Sequence, residues 1–313
     1  MNEWNDDRAA PKKKRKSNSL ADLILEYDSL YEPSDIPFNP PKASLIDERL
    51  RNELRQIIVR MGDGCPLCKR FPSPPECPRC HGRGGQAIDW WVLIVAPEGE
   101  GKSSLAIGIL VEYCKLVKEI TGITINFEEA AKKFIIFDDF DFMRVVMKLN
   151  SSTPYNFILA DEGSSLWQNR ESMSRTRRTS TKFINVMRFL KCFVVTCAVD
   201  IAQLDVVLKE HRIKSLIRIP HRGIYAYYNR DRLAKIYKRN KGNRSLTWSW
   251  RGIAPLFTGR FGWSEDLEKF LKALKIAYIK RFQLEAKRSY YKELISRLSI
   301  GKKINEGGSD EDA

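Results

Sequence analysis

The residues with the most chemistry in them form one run, Ala96-Pro97-Glu98-Gly99-Glu100-Gly101-Lys102-Ser103, placed directly after the apolar stretch Trp90-Trp91-Val92-Leu93-Ile94-Val95. Glycines at 99 and 101 let the backbone curl so that successive N–H groups face a single anion. The apolar spacing that follows predicts a helix from about Lys102 to Lys118, whose positive dipole end points at the same place. In that frame Lys102 reaches the β- and γ-phosphates of a nucleoside triphosphate, and the Ser103 hydroxyl ligates Mg²⁺. Pro97, Glu98, Gly99, Glu100, Gly101 and Ser104 complete the cradle. Glu98 and Glu100 must turn their carboxylates away from the phosphates. The run departs from the usual Walker A pattern at its first position, where Ala96 stands in place of glycine.

A second acidic element belongs with the first. Phe157-Ile158-Leu159-Ala160 reads as a buried strand ending in Asp161-Glu162, about 60 residues downstream, and is expected to neighbour the strand that leads into the glycine turn. Asp161 is placed to hold Mg²⁺ through water, and Glu162 to polarise the attacking water as general base. The plain alternative is that these two acids only begin a loop. Thr196 closes another apolar strand, Cys192 to Thr196, and is a candidate sensor of the γ-phosphate. Arg170, Arg175, Arg177, Arg178 and Arg188 follow Asp161 closely; one of them could act as an arginine finger, or several could touch a DNA backbone. No Asn-Lys-x-Asp base-reading motif is present, so ATP rather than GTP is the expected nucleotide.

The third constellation is Cys65-x2-Cys68-x8-Cys77-x2-Cys80. Two such knuckles place four thiolates tetrahedrally around Zn²⁺, and Gly64, Pro66, Pro78 and Gly82 suit the tight turns. A closed four-thiolate shell is structural rather than catalytic. Lys69, Arg70, Arg79 and Arg83 make the module a contact for nucleic acid or another partner. Cys114, Cys192 and Cys197 fall singly in apolar runs, which fits a reducing compartment better than a disulfide framework.

Charge points to a partner. The chain of 313 residues carries a formal +15, but Ser164 to Phe261 alone holds 21 Lys and Arg against 5 Asp and Glu. Residues before that segment sum to about −3 and those after it to about +2. Such a concentration favours a polyanion, nucleic acid first and an anionic membrane surface second. No apolar run approaches the ~20 residues that span a bilayer, and the N-terminus is polar and basic. The expectation is an intracellular, soluble protein. The run Pro11 to Lys16 is either a basic arm touching phosphates or, in a eukaryotic host only, a nuclear import signal.

Stepping outward, strands rich in β-branched residues alternate with helical stretches, which implies a mainly parallel sheet with helices on both faces. Further strands are expected at Phe134 to Phe137 and Ser215 to Ile219. The predicted organisation is a flexible basic arm and linker over 1–42, a helix over 43–62 and the zinc module over 63–86. The nucleotide-binding core follows over 87–222. A basic hairpin and loop then spans 223–263, pairing Ile224 to Tyr228 with Leu233 to Lys238, and a long helix with an acidic tail fills 264–313.

The string Gly99 to Ser103, then Leu159-Ala160-Asp161-Glu162-Gly163, an Arg-rich stretch and a strand ending in Thr196 resembles the P-loop ATPases of the additional-strand, catalytic-Glu division. The nearest flavour is FtsK/HerA-like, including zonular occludens toxin-like ATPases of archaeal plasmids and viruses. That resemblance covers roughly residues 88 to 220. It implies a RecA-like α/β fold with an inserted zinc module and a helical C-terminal extension. It also implies a Mg²⁺-dependent ATPase that moves, packages or remodels DNA, often as a homo-oligomeric, hexameric ring. The competing readings are a nucleotide-gated assembly or morphogenesis protein with little turnover, and a zinc-bearing DNA-binding protein of replication or partition.

Overall fold

The computed structural model describes residues 41, 43–61, 89–137, 141–142, 145–146, 149, 155–161, 192–205, 208–241 and 248–280. All of them belong to one compact unit spanning 35–280. Five helices and seven strands are followed here: α1 (Glu48–Met61), β1 (Trp90–Val95), α2 (Lys102–Thr121), α3 (Phe127–Phe134), β2 (Ile135–Ile136), β3 (Phe157–Ala160), β4 (Phe193–Ala198), β5 (Ile213–His221), β6 (Ile224–Tyr228), α4 (Arg230–Asn240), β7 (Phe257–Arg260) and α5 (265–280).

The strands form a single seven-stranded sheet in the order β2-β3-β4-β1-β5-β6-β7. Pairing is parallel from β2 through β5 and antiparallel for β6 and β7 at one edge. The strand types follow from burial. Trp90 to Val95 and Phe193 to Ala198 are buried at every position, as central parallel strands with helices over both faces must be. At the antiparallel edge β7 instead alternates between intermediate and exposed positions. In sheet order β4 sits between β1 and β3, so the strand leading into Gly99–Ser103 and the strand leading into Asp161 are not the neighbours expected from sequence, because the later strand β4 is inserted between them.

Two apolar layers hold the helices. One face of the sheet packs α1, α2, α3 and α5, through Leu50, Leu54, Ile57, Leu110, Leu116, Ala131, Phe270 and Leu274 among others. The opposite face collects Trp91, Leu93, Phe142, Val145, Leu216 and the α4 residues Leu233 and Ile236. Helix α1 buries Leu50, Leu54, Ile57, Ile58 and Met61, spaced as one helical face. It is joined to α2 by Arg51 Nε donating to Glu112 Oε1 at 2.7 Å and Arg55 Nη2 donating to Glu119 Oε1 at 2.7 Å. On the same face of the sheet, Tyr227 Oη donates to Glu53 Oε1 at 2.9 Å, tying α1 to β6 as well.

The structure corrects one expected element. Residues Leu233 to Lys238 are not the second arm of a hairpin but lie inside α4. Asn229 Oδ1 accepts from the Arg232 N–H at 3.2 Å, capping the helix start, and the buried positions Leu233, Ile236 and Asn240 follow a helical rather than an alternating period. The antiparallel partners of β6 are β5 on one side and β7 on the other; β5 and β6 are consecutive in the chain. They are joined through Arg222 and Gly223, and Gly223 has φ +83°, a left-handed conformation that glycine takes without a Cβ clash.

Candidate functional site

Strand β1 ends at Val95 and the chain turns through Ala96 to Gly101 into α2. Both predicted special glycines are left-handed, Gly99 at φ +80° and Gly101 at φ +91°. Gly101 is the N-cap of α2 and no side chain caps the helix, so the first-turn N–H groups are left to whatever the loop encloses. A Cβ at Gly101 would also meet the ring of Phe261 at 3.4 Å, so the loop rests on an aromatic floor from the residue after β7. Lys102 Nζ donates to the carbonyls of Ala96 and Pro97, both at 2.9 Å, which holds the ammonium over the loop.

A pocket of about 530 Å³ opens at this turn. Its lining includes Glu98, Gly99, Gly101, Lys102, Ser103 and Ser104 from the loop, Asp161 after β3, and Cys197 and Ala198 at the end of β4. Volumes of this order are usual for small-molecule sites. Of the residues expected around the phosphates, Pro97 and Glu100 do not line it, and Pro97 contributes its carbonyl to Lys102 instead.

Asp161 is the electrostatic centre of the pocket. Its side chain is fully buried, and neither carboxylate oxygen accepts a hydrogen bond of ordinary geometry. The Lys275 ammonium of α5 stands 2.6 Å from Oδ2 as an ion pair. Burial chiefly, and then the Asp161 charge, pushes the neighbouring Cys197 thiol well up, with Lys102 and Lys275 opposing. That thiol is therefore no nucleophile at neutral pH. Three acidic side chains (Glu98, Asp161, Glu268) and three basic ones (Lys102, Arg222, Lys275) line the pocket. Side-chain charge alone therefore gives it no surplus to hold a polyanion; backbone N–H groups, the α2 dipole and an added cation must supply the rest.

Thr196 is not brought to the pocket. It pairs with Leu93 and Ala160 across the sheet, and those two belong to the apolar layer on the face opposite α2. Alternation along β4 turns Cys197 toward the pocket and Thr196 away from it, and the buried Thr196 Oγ1 has no hydrogen-bond partner. The strand runs two residues beyond Thr196, to Ala198, so its pocket end lies further along than the expected one.

Glu162, the arginines at 170, 175, 177, 178 and 188, and Cys65, Cys68, Cys77 and Cys80 lie outside the described residues. Among the described residues no cluster of His, Cys, Asp and Glu could hold a metal ion, and no helix is long and apolar enough to cross a membrane. Cys114, Cys192 and Cys197 are all buried and form no disulfide. Besides Cys197, Ala198 and Val199 at the end of β4, four further pocket residues were not indicated by sequence: Arg222 from the β5–β6 turn, Trp263 after β7, and Glu268 and Lys275, two turns apart on one face of α5. No local pattern marks them, because they arrive through the path of the antiparallel edge and α5.

No family model and no curated protein matches this chain. Similar solved structures include the N-terminal domain of zonular occludens toxin from Neisseria meningitidis, 12% identical over 45% of this chain and 83% of that one, with a TM-score of 0.33. A second is the genome packaging NTPase B204 from Sulfolobus turreted icosahedral virus 2 in complex with ATP-gammaS, 12% identical over 46% of this chain and 93% of that one, TM-score 0.33. A third is the FIGL-1 AAA domain in complex with ADP, 18% identical over 67% of this chain and 63% of that one, TM-score 0.35.

Proposed function

We propose that this protein is a Mg²⁺-dependent P-loop ATPase that couples hydrolysis to the movement, packaging or remodelling of DNA. One observation carries the nucleotide reading: the left-handed glycine turn Gly99–Gly101, the start of α2 and the buried Asp161 carboxylate converge on a single pocket. The residues suit the ligand. Lys102 can exchange its two loop carbonyls for phosphate oxygens without leaving the turn.

Ser103 and Asp161 would hold Mg²⁺, which when bound neutralises charge on the β- and γ-phosphate oxygens. The fit rests on Asp161, a buried carboxylate whose Oδ1 accepts no hydrogen bond among the described residues and whose Oδ2 faces the Lys275 ammonium. The chain's own contribution is positional. Backbone N–H groups of the turn fix the phosphates, Phe261 supports Gly101 from below, and burial of Asp161 keeps water from competing for its oxygens. Glu162, next in sequence, is assigned the role of general base toward the attacking water.

DNA as the partner rests on the charge of Ser164 to Phe261, 21 basic against 5 acidic residues. Exposed on α4, Arg230, Lys235, Lys238 and Arg239 present part of that charge to solvent. A homo-oligomeric ring, with an arginine among 170, 175, 177, 178 and 188 reaching the neighbour's nucleotide, belongs to the same proposal. So does a structural Zn²⁺ on Cys65, Cys68, Cys77 and Cys80, on their spacing alone.

The test is ATPase rate with and without DNA for wild type, Glu162→Gln and Lys102→Ala. Glu162→Gln is expected to bind ATP without turning it over, Lys102→Ala to lose binding, and DNA to raise the wild-type rate. Equal rates for wild type and Glu162→Gln would remove Glu162 as the base, and indifference to DNA would remove the motor.

A further inference from the structure

The pocket has two chemically different ends. On the β3–β4 side stand Asp161 and Lys275. On the β5–β7 side stand Arg222 and Trp263, which phosphate chemistry does not require. The Arg222 guanidinium lies over the Trp263 ring at 4.5 Å from its centroid, within cation–π range. Trp263 keeps 43% of its surface exposed, so its ring remains accessible at the mouth of the pocket. The backbone leading into Trp263 is fixed. Phe261 N donates to Gly223 O at 3.0 Å, locking the Trp263 segment to the turn that bears Arg222, and Gly262 N donates to Leu45 O at 2.7 Å. The same segment sets Phe261 against Gly101, so the indole is held in register with the phosphate-binding turn.

We propose that Trp263, braced by Arg222, is the nucleobase platform of this site: the base of the bound nucleotide stacks on the indole while its phosphates occupy the turn at Gly99–Ser104. This rests on the nucleotide reading above and goes beyond it by assigning residues to the base. A rigid indole offers a π-face to any base at little entropic cost, and a guanidinium over that ring polarises it and supplies donors at its rim. Side-chain charge is balanced over the pocket as a whole, and the part left once Arg222 is set aside has no basic surplus. A good share of the discrimination between a nucleotide and a bare phosphate chain therefore falls to this aromatic end.

The experiment measures, by calorimetry, binding of Mg-ATP and of magnesium tripolyphosphate to wild type, Trp263→Ala and Trp263→Phe. Base–aromatic stacking predicts that Trp263→Ala weakens Mg-ATP by about 5- to 150-fold. Tripolyphosphate, which has no base, should stay within about twofold, and Trp263→Phe should recover most of the loss. Retained tripolyphosphate binding also reports that the variant is folded. Unchanged Mg-ATP affinity in Trp263→Ala overturns the platform, as does an equal loss for both ligands, which would mean that the indole only supports the turn. Equal affinity of wild type for the two ligands overturns it too. Wild type binding neither ligand would instead overturn the nucleotide site itself.

Discussion

Replacing Lys275 by methionine removes the ammonium 2.6 Å from Asp161 Oδ2 and keeps most of the side chain's length. The Asp161 side chain is fully buried, whereas Lys275 is 39% exposed. Deleting one partner of a wholly buried pair costs about 3–5 kcal/mol and an exposed pair about 0.2–1. With one partner in each environment, about 2 kcal/mol of stability should be lost without nucleotide. In the proposed complex Asp161 turns to Mg²⁺, so Lys275 and the metal compete for the same oxygens. The variant has no such pair to break on binding. A loss of about 2 kcal/mol in the free protein then reappears as roughly 30-fold tighter binding of Mg-ATP. Urea unfolding with and without saturating Mg-ATP checks this, together with direct titration of the nucleotide. The two proteins should differ in midpoint without ligand and converge with it. If Lys275→Met instead binds Mg-ATP more weakly than wild type, Lys275 contacts the phosphates and the competition argument is wrong.

Three further outcomes are expected. Arg212 Nη1 lies 3.4 Å from Asp89 Oδ2 with both side chains nearly inaccessible, so Arg212→Met should cost about 3–5 kcal/mol in urea unfolding; a loss below about 1 would mean that Lys214 and the Trp91 indole N–H suffice for Asp89. Burial pushes the Cys192 thiol from 9.0 to about 12, so the folded state holds that proton more tightly. Its contribution is fully present below pH 9 and is lost as pH rises toward 12. Wild-type stability should accordingly fall more steeply than that of Cys192→Ala above pH 9, by up to about 1.4 kcal/mol per pH unit, and parallel slopes would contradict the shift. Asn229→Ala removes the cap of α4 and should lower stability by about 1 kcal/mol in thermal or urea unfolding, whereas a strand at 233–238 would be indifferent to it.

How far the sequence reached depended on whether a signal was local. Gly99, Gly101 and Lys102 are readable because one short turn carries both the motif and its geometry. The buried strands before Ala96 and Asp161 are readable because a central parallel strand must be apolar at every position. Leu233 to Lys238 misled because apolar and polar residues there fit both periods, and only the Asn229 cap and Asn240 favour the helix. Thr196 misled for a finer reason. Locating a strand end two residues early leaves its direction plausible but shifts which residue meets the pocket, and side chains reverse face at every step. Trp263 and Lys275 carry no motif. They become site residues only because Phe261 docks under Gly101 and α5 then crosses toward Asp161.

The intervening strand β4 has an electrostatic consequence. Adjacent strands lie about 4.8 Å apart, so two steps separate the β1 and β3 backbones by nearly 10 Å. Were the two strands adjacent, a lysine and a carboxylate at their ends could meet and cancel each other in a closed pair. One strand's width keeps Lys102 leaning on its own loop carbonyls and leaves Asp161 to a cation from elsewhere. The sheet thereby acts as an insulating spacer, keeping opposite charges on the wall of one pocket and too far apart to satisfy one another.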